Sequence, residues 1–190
     1  MLSPVQIHPI DSKLFSDVTI FLLQNTETEL QTQRLNLRRH LVDRLKQFNQ
    51  PTRPELLDLL KVPLHSDLSI SLSHAKAYSC FAWCPKPATI GADIEDLLRL
   101  KTSLLTRVSS PSEMSTAPRE ELLWSCKEAV FKAVPAVNVL SSVEIFDFLP
   151  LQNEVWRFRA RETKTQTVLQ GYGEVRLILG HTLAFFKFNT

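Results

Sequence analysis

The sequence predicts an α+β fold in which antiparallel sheets pack with helices. Three observations point there. Helical apolar periodicity appears over Asn25–Phe48 and Arg119–Val134. Alternating or β-branched apolar runs fill much of the remainder. The last four of these runs follow one another with only turn-like segments between them, as a strand meander does. The chain has 190 residues, enough for one ordinary domain or two fused small halves. Either buries roughly 70% of the unfolded chain's surface, so neither metal nor disulfide is needed merely to fold.

The elements follow in order. Val18–Leu23 is a short apolar run and reads as a buried strand. In Asn25–Phe48, Leu30, Leu37, Leu41, Leu45 and Phe48 fall on one helical face, and Thr26 with Glu29 predicts a capping box at the start. The opposite, exposed side is expected to carry Arg34, Arg38, Arg39 and Arg44, as a solvated face or an anion site. Pro51 and Pro54 end this helix, and Leu56–Leu60 reads as a short helical piece. Leu68, Ile70 and Leu72 alternate with Ser69, Ser71 and Ser73, which predicts a half-buried strand over Leu68–His74 with Tyr78–Cys84 as its hairpin partner. Pro85–Pro87 is the expected boundary between two halves, residues 1–85 and 86–190. Beyond it come a strand (Ala88–Glu95), a helix (Asp96–Arg107), a polar loop (Ser109–Pro118) and the Arg119–Val134 helix, which ends before Pro135. Four strands close the chain: Ser142–Leu149, Glu154–Glu162, Thr167–Ile178 and His181–Asn189.

Composition narrows the function. Apolar residues make up 44% and charged residues 22%, which is globular rather than disordered. Only four glycines are present, too few for a P-loop or a full G-x-G-x-x-G dinucleotide fingerprint. The net charge of +2 does not by itself predict nucleic-acid binding. Apolar runs fall far short of the ~20 residues of a membrane span, and MLSPVQIHPIDSKLF does not read as a signal peptide. Cys80, Cys84 and Cys126 have no zinc spacing and suit small buried thiols in a reducing cytoplasm, the expected location.

Three features carry chemistry. In Gly91-Ala92-Asp93-Ile94-Glu95-Asp96, strand geometry puts Asp93 and Glu95 on one face. Two carboxylates that close repel, so one takes a proton unless a cation lies between them; the alternative is a strand end with two solvated acids. In Trp124-Ser125-Cys126-Lys127-Glu128-Ala129-Val130-Phe131-Lys132, an apolar stripe of Leu123, Cys126, Val130, Ala133 and Val134 leaves Glu128 on the other side. Lys132 stands one turn on, where a Glu128–Lys132 salt bridge is one reading. The other is a covered carboxylate bound to a metal, since Trp124 and Phe131 flank it. In Ser71-Leu72-Ser73-His74, a strand-end histidine can donate to an anion or be satisfied by backbone.

The order of these features is more specific than any one of them: S-x-S-H, then G-x-D-x-E about 20 residues on, then W-S-x-K-E-x-x-x-K about 30 further. In this the sequence resembles the 4'-phosphopantetheinyl transferases, in particular the surfactin-type branch. The matching stretches are SLSHAKAYSCFAW (71–83), IGADIEDL (90–97) and WSCKEAVFKA (124–133), with RVSSPSEM (107–114) similar to the segment that precedes the last motif.

The resemblance implies two similar α/β halves related by a pseudo-twofold axis, with the site in the cleft between them. It implies Mg²⁺-dependent transfer of the phosphopantetheine arm of coenzyme A to a serine of an apo acyl or peptidyl carrier protein, by a chain acting as a monomer. Asp93, Glu95 and Glu128 match the magnesium ligands, a hard oxygen set in which Mn²⁺ can substitute. Lys127 and Lys132 match lysines on the coenzyme A phosphates, and Ser73 and His74 the pair at the 3'-phosphate. Lys61 lies near the position of a Lys-Pro element, although a valine intervenes here, and Arg34 or Arg38 corresponds loosely to a basic residue of the first-half helix. Catalysis is then expected from Asp93, Glu128 and Lys132, with Glu128 accepting the serine proton directly or through water. Lys101, Arg107 and Arg119 are candidates for a basic rim that steers an acidic carrier. The competing classes are a coenzyme A-binding module without transfer and, through the Arg34–Arg44 face, a nucleic-acid-binding domain; no nucleic-acid or membrane partner is expected.

Overall fold

A computed structural model describes residues 6–52, 54–59 and 65–189. Nine strands and four helices are found among them: β1 (Ile7–Pro9), β2 (Thr19–Gln24), α1 (Leu30–Gln47), β3 (Leu68–His74), β4 (Tyr78–Pro85), β5 (Thr89–Asp96), α2 (Thr102–Leu105), α3 (Pro111–Thr116), α4 (Leu122–Ala133), β6 (Val143–Gln152), β7 (Val155–Glu162), β8 (Gly171–Ile178) and β9 (His181–Phe188). They form an α+β structure with two antiparallel sheets. The first has the order β1-β2-β4-β3, the second β5-β9-β8-β7-β6, and the chain passes from one to the other between Pro85 and Thr89.

The two sheets share a connectivity. In the first, β2 leads to α1, and the chain returns through β3 and β4 so that β4 pairs with β2. In the second, β5 leads to α4, and the chain ends in β8 and β9 so that β9 pairs with β5. The meander β6–β7 is the addition that sets the second half apart.

Burial follows strand alternation. Phe21, Leu23, Ile70, Phe81 and Trp83 face α1 and pack on Leu37, Leu41 and Leu45. The other face of the first sheet, with Ile20, Leu22, Cys80, Ala82 and Cys84, packs on Ile90, Ala92, Ile94, Leu183 and Phe185 of the second. The far face of the second sheet carries Phe158, Val175, Ala184 and Phe186 against the apolar stripe of α4. The layers are therefore helix, sheet, sheet, helix, which buries both faces of β5. The N-terminal arm is held down by the fully buried Glu174, which accepts from Ser12 Oγ (2.9 Å) and from the backbone N–H groups of Lys13 (2.7 Å) and Leu14 (3.1 Å), and pairs with Arg176.

Several local expectations are corrected. The first helix begins at Leu30, not Asn25, and the Thr26–Glu29 box does not form; Glu29 is itself the N-cap residue and makes no side-chain cap. Leu30 and Phe48, expected on the buried face, are about half exposed, at 46% and 50%. The short helical piece is a 3₁₀ turn over Pro54–Leu57. The Asp96–Arg107 helix is broken into a 3₁₀ turn at Leu97–Arg99 and the single turn of α2. The expected Ser109–Pro118 loop contains α3, started by a capping box in which Ser110 N donates to Glu113 Oε2 (2.9 Å) and Glu113 N to Ser110 Oγ (3.2 Å), with Pro111 at the first helical position. All three cysteines are free and buried, and burial pushes the thiols of Cys80 and Cys84 up to about 12 and about 11. No helix of the described residues is long and apolar enough to cross a membrane.

Candidate functional site

The site is built on β5. Ile90, Ala92 and Ile94 point into the inter-sheet core, which turns Gly91, Asp93 and Glu95 toward α4. Gly91 decides how near the helix can come: a Cβ there would lie 1.9 Å from the Ala129 carbonyl oxygen. With only hydrogen in that place, α4 packs directly on the strand. Trp124, Glu128 and Lys132, one turn apart along one face of α4, then overhang Asp93 and Glu95.

The other wall comes from the first half. Ser73 and His74, at the end of β3, with Lys76 after them and Gln33 from α1, complete a cleft of about 520 Å³. Arg99, from the turn after β5, lines it too. Asp93 lies at the floor, 3% exposed. Its Oδ1 accepts from Ser73 Oγ (2.9 Å) and from Lys132 Nζ (2.7 Å), while Oδ2 is buried with no partner among the described residues. Lys132 therefore pairs with Asp93, not with Glu128 as one reading of the helix suggested. Its other donor contacts are the Ala92 carbonyl (3.1 Å) and Ser73 Oγ (3.3 Å).

Charge is crowded here. Burial first, then the charge of Asp93, pushes the Glu95 carboxyl up to about 7, with Arg99 and Lys132 opposing. Burial and Asp93 raise Glu128 as well, against Lys132. Burial alone would lower Lys132, but the Asp93 charge and hydrogen bond outweigh it and its ammonium is held above its ordinary range. His74 is lowered by burial and by the nearby charges of Arg34 and Lys132, Asp93 opposing, so its imidazole stays neutral at neutral pH.

The sequence matches no protein-family model and no curated protein.

The residues themselves therefore decide what the cleft can hold. All-oxygen, anionic donors with a buried unpartnered carboxylate oxygen at Asp93 suit a hard divalent cation. Among the described residues no three acids or histidines are gathered into a group that could hold a metal ion as they stand, so an ion would have to draw Glu95 and Glu128 in toward Asp93.

Of the expected site residues, Ser73, His74, Asp93, Glu95, Glu128 and Lys132 meet in this cleft. Arg34 does not line it but stands close enough to act on His74. Lys127 is turned away: it is fully buried, its ammonium 2.7 Å from Glu113 Oε1 and bonded to the Val143 carbonyl. Burial lowers it, the hydrogen bond and charge of Glu113 opposing. Its place next to Cys126 in the buried stripe is why it cannot share Glu128's direction. Arg38, expected on the exposed side, is 7% exposed and donates to the Leu56 carbonyl (2.9 Å). Lys61 lies outside the described residues. Lys101, Arg107 and Arg119 do not line the cleft; Lys76 and Arg99 do, beside Lys132, and sequence reasoning missed both. Arg99 lies four residues past Glu95, but the expected continuous Asp96–Arg107 helix does not contain the 3₁₀ turn at Leu97–Arg99 from which it reaches the cleft.

Proposed function

We propose that this chain transfers the phosphopantetheine arm of coenzyme A to a serine of an apo acyl or peptidyl carrier protein, as its resemblance to the phosphopantetheinyl transferases implies. The observation that supports this most is convergence: Ser73–His74, Asp93–Glu95 and Glu128–Lys132 come from three separate stretches and line one cleft. The repeated strand–helix–strand–strand connectivity, with a cleft walled by both halves, agrees with the two-half architecture of that family.

In this reading the carrier serine Oγ bonds to the phosphorus that bears the pantetheine arm. The pyrophosphate P–O bond breaks, and adenosine 3',5'-bisphosphate leaves with its electron pair. Mg²⁺ or Mn²⁺ held by Asp93, Glu95 and Glu128 would supply neutralisation of the diphosphate charge. Lys132 pairs with Asp93 and adds positive charge beside the phosphates. Glu128, raised by burial and Asp93, is suited to take the serine proton, directly or through one water. His74, whose ring makes no hydrogen bond among the described residues, has a donor free for the 3'-phosphate. Lys76, Arg99 and Arg34 add cationic charge around the mouth.

One observation favours a second reading. Lys132 already neutralises Asp93 and the acids are not gathered, as in a module that binds coenzyme A without turning it over. Incubation with coenzyme A, Mg²⁺ and an apo carrier, followed by mass spectrometry of the carrier, decides. A phosphopantetheine-sized gain that EDTA abolishes supports transfer. Tight coenzyme A binding with no gain assigns the module, and retention on nucleic acid with neither overturns both.

A further inference from the structure

The alternate serines of β3 do not face water. Ser69 Oγ accepts from Ile90 N (3.0 Å), Ser71 Oγ from Ala92 N (2.9 Å) and Ser73 Oγ from Ile94 N (3.3 Å). The numbering rises together on both strands, so β3 and β5 run the same way with a common two-residue repeat. β5 is an edge strand of its sheet, and edge N–H groups need partners when buried. Serine hydroxyls supply them here, so a side-chain ladder joins the two sheets.

The third rung differs from the other two. A hydroxyl has one proton and two lone pairs. Ser73 directs its proton to Asp93 Oδ1 (2.9 Å) and accepts from Ile94 N and from Lys132 Nζ (3.3 Å). Its capacity is full. An ionised phosphate oxygen accepts only, and Ser73 has no second proton to offer it. By occupying Oδ1 together with Lys132, the hydroxyl also leaves Oδ2 as the oxygen of Asp93 without a partner among the described residues.

We infer that Ser73 is a positioning residue: its hydroxyl fixes Asp93 and Lys132 relative to each other, and it is not a contact for the 3'-phosphate of the substrate. The phosphate clause of this inference and its kinetic consequence rest on the transferase reading of the cleft; the positioning of Asp93 and Lys132 does not. His74 is then the member of the Ser73–His74 pair that meets the phosphate.

The test compares S73A and S73C with S71A, which removes the neighbouring rung without touching Asp93. The first readout needs neither metal nor substrate: the rate at which acetic anhydride labels Lys132, followed by peptide mass spectrometry. Labelling is expected to rise roughly 2–10-fold in S73A and S73C, the equivalent of one lost hydrogen bond, and to stay at the wild-type rate in S71A. The second is transfer with coenzyme A and with 3'-dephospho-coenzyme A. S73A is expected to lower kcat roughly 10–100-fold while KM for coenzyme A and the preference for the 3'-phosphate are retained. Loss of that preference in S73A would make Ser73 a phosphate contact and overturn the inference. So would unchanged Lys132 labelling in S73A, or in S73C should S73A not fold. A wild-type protein without transfer activity would overturn the transferase reading, and the labelling rates would still decide the role of Ser73.

Discussion

Lys132 Nζ lies 2.7 Å from Asp93 Oδ1 and makes no ion pair with Glu128, one turn back on its own helix. The side chains are 27% and 5% exposed, so the pair sits at the edge of the protein interior. Removing the cation leaves a buried carboxylate beside two others. K132M is expected to lose about 1–3 kcal/mol in urea unfolding, with D93N in the same chain recovering part of it. Transfer is expected to fall roughly 10²–10³-fold. Equal stability of K132M and wild type would show that Asp93 does not depend on this lysine.

Glu128 is the reverse case. It has no ion pair among the described residues, and both burial and Asp93 disfavour its charge. E128Q keeps the shape and relieves repulsion, so its melting temperature is expected to equal or exceed that of wild type while transfer to the carrier is lost. A variant that folds and still modifies the carrier at near the wild-type rate would remove Glu128 from the chemistry.

What could be read from the sequence divides along physical lines. Strands are legible because alternation is a local property: the expected Leu68–His74 strand coincides with β3, and the expected ends of β5 and β9 lie within one residue of those observed. The direction in which Asp93, Glu95, Glu128 and Lys132 point follows from strand and helix periods in the same way. Partner choice was not legible. Thr26–Glu29 and Ser110–Glu113 both have capping-box spacing, yet only the second forms, helped by Pro111 at the helix start and by Lys127 and Ile145 N on the other oxygen of Glu113. The serines of β3 look like a solvent face until β5 is laid beside them. Lys127 and Arg38 look solvated because their burial depends on a distant carboxylate and a distant carbonyl. Gly91 was in view from the start, but its reason, the backbone of α4, is nearly forty residues away.

Burial of Glu95 and Glu128, and then the charge of Asp93 beside them, set a pH dependence. Glu95 titrates near 7 in the folded protein and about 4.3 when unfolded. Between those values the folded state holds the extra proton, so stability falls as pH rises through the window, and Glu128 acts in the same direction. A divalent cation competes with that proton and offsets the repulsion. Mg²⁺ is therefore expected to raise the melting temperature more at pH 8 than at pH 6, and E95Q to flatten the difference. Thermal unfolding at both pH values with Mg²⁺ and with EDTA measures this; no shift at either pH would mean that the carboxylates do not hold the ion.

Gly91 tests whether the closeness of helix and strand, rather than the acids alone, makes the site. In G91A the added carbon would overlap the Ala129 carbonyl oxygen, with Ala133 N at 2.8 Å, and both are backbone atoms that no rotamer change can move. The helix must lift away. Overpacking of this kind costs about 1–3 kcal/mol, and the fold is expected to survive it. Glu128 and Lys132 would move off Asp93 and Glu95 with the helix, so transfer should fall roughly 10²-fold although every expected ligand is still present. Circular dichroism for the fold, Lys132 labelling for the geometry and carrier mass spectrometry for the activity separate the effects. A folded G91A protein with the wild-type transfer rate would show that the acids reach one another without the close contact of α4 and β5.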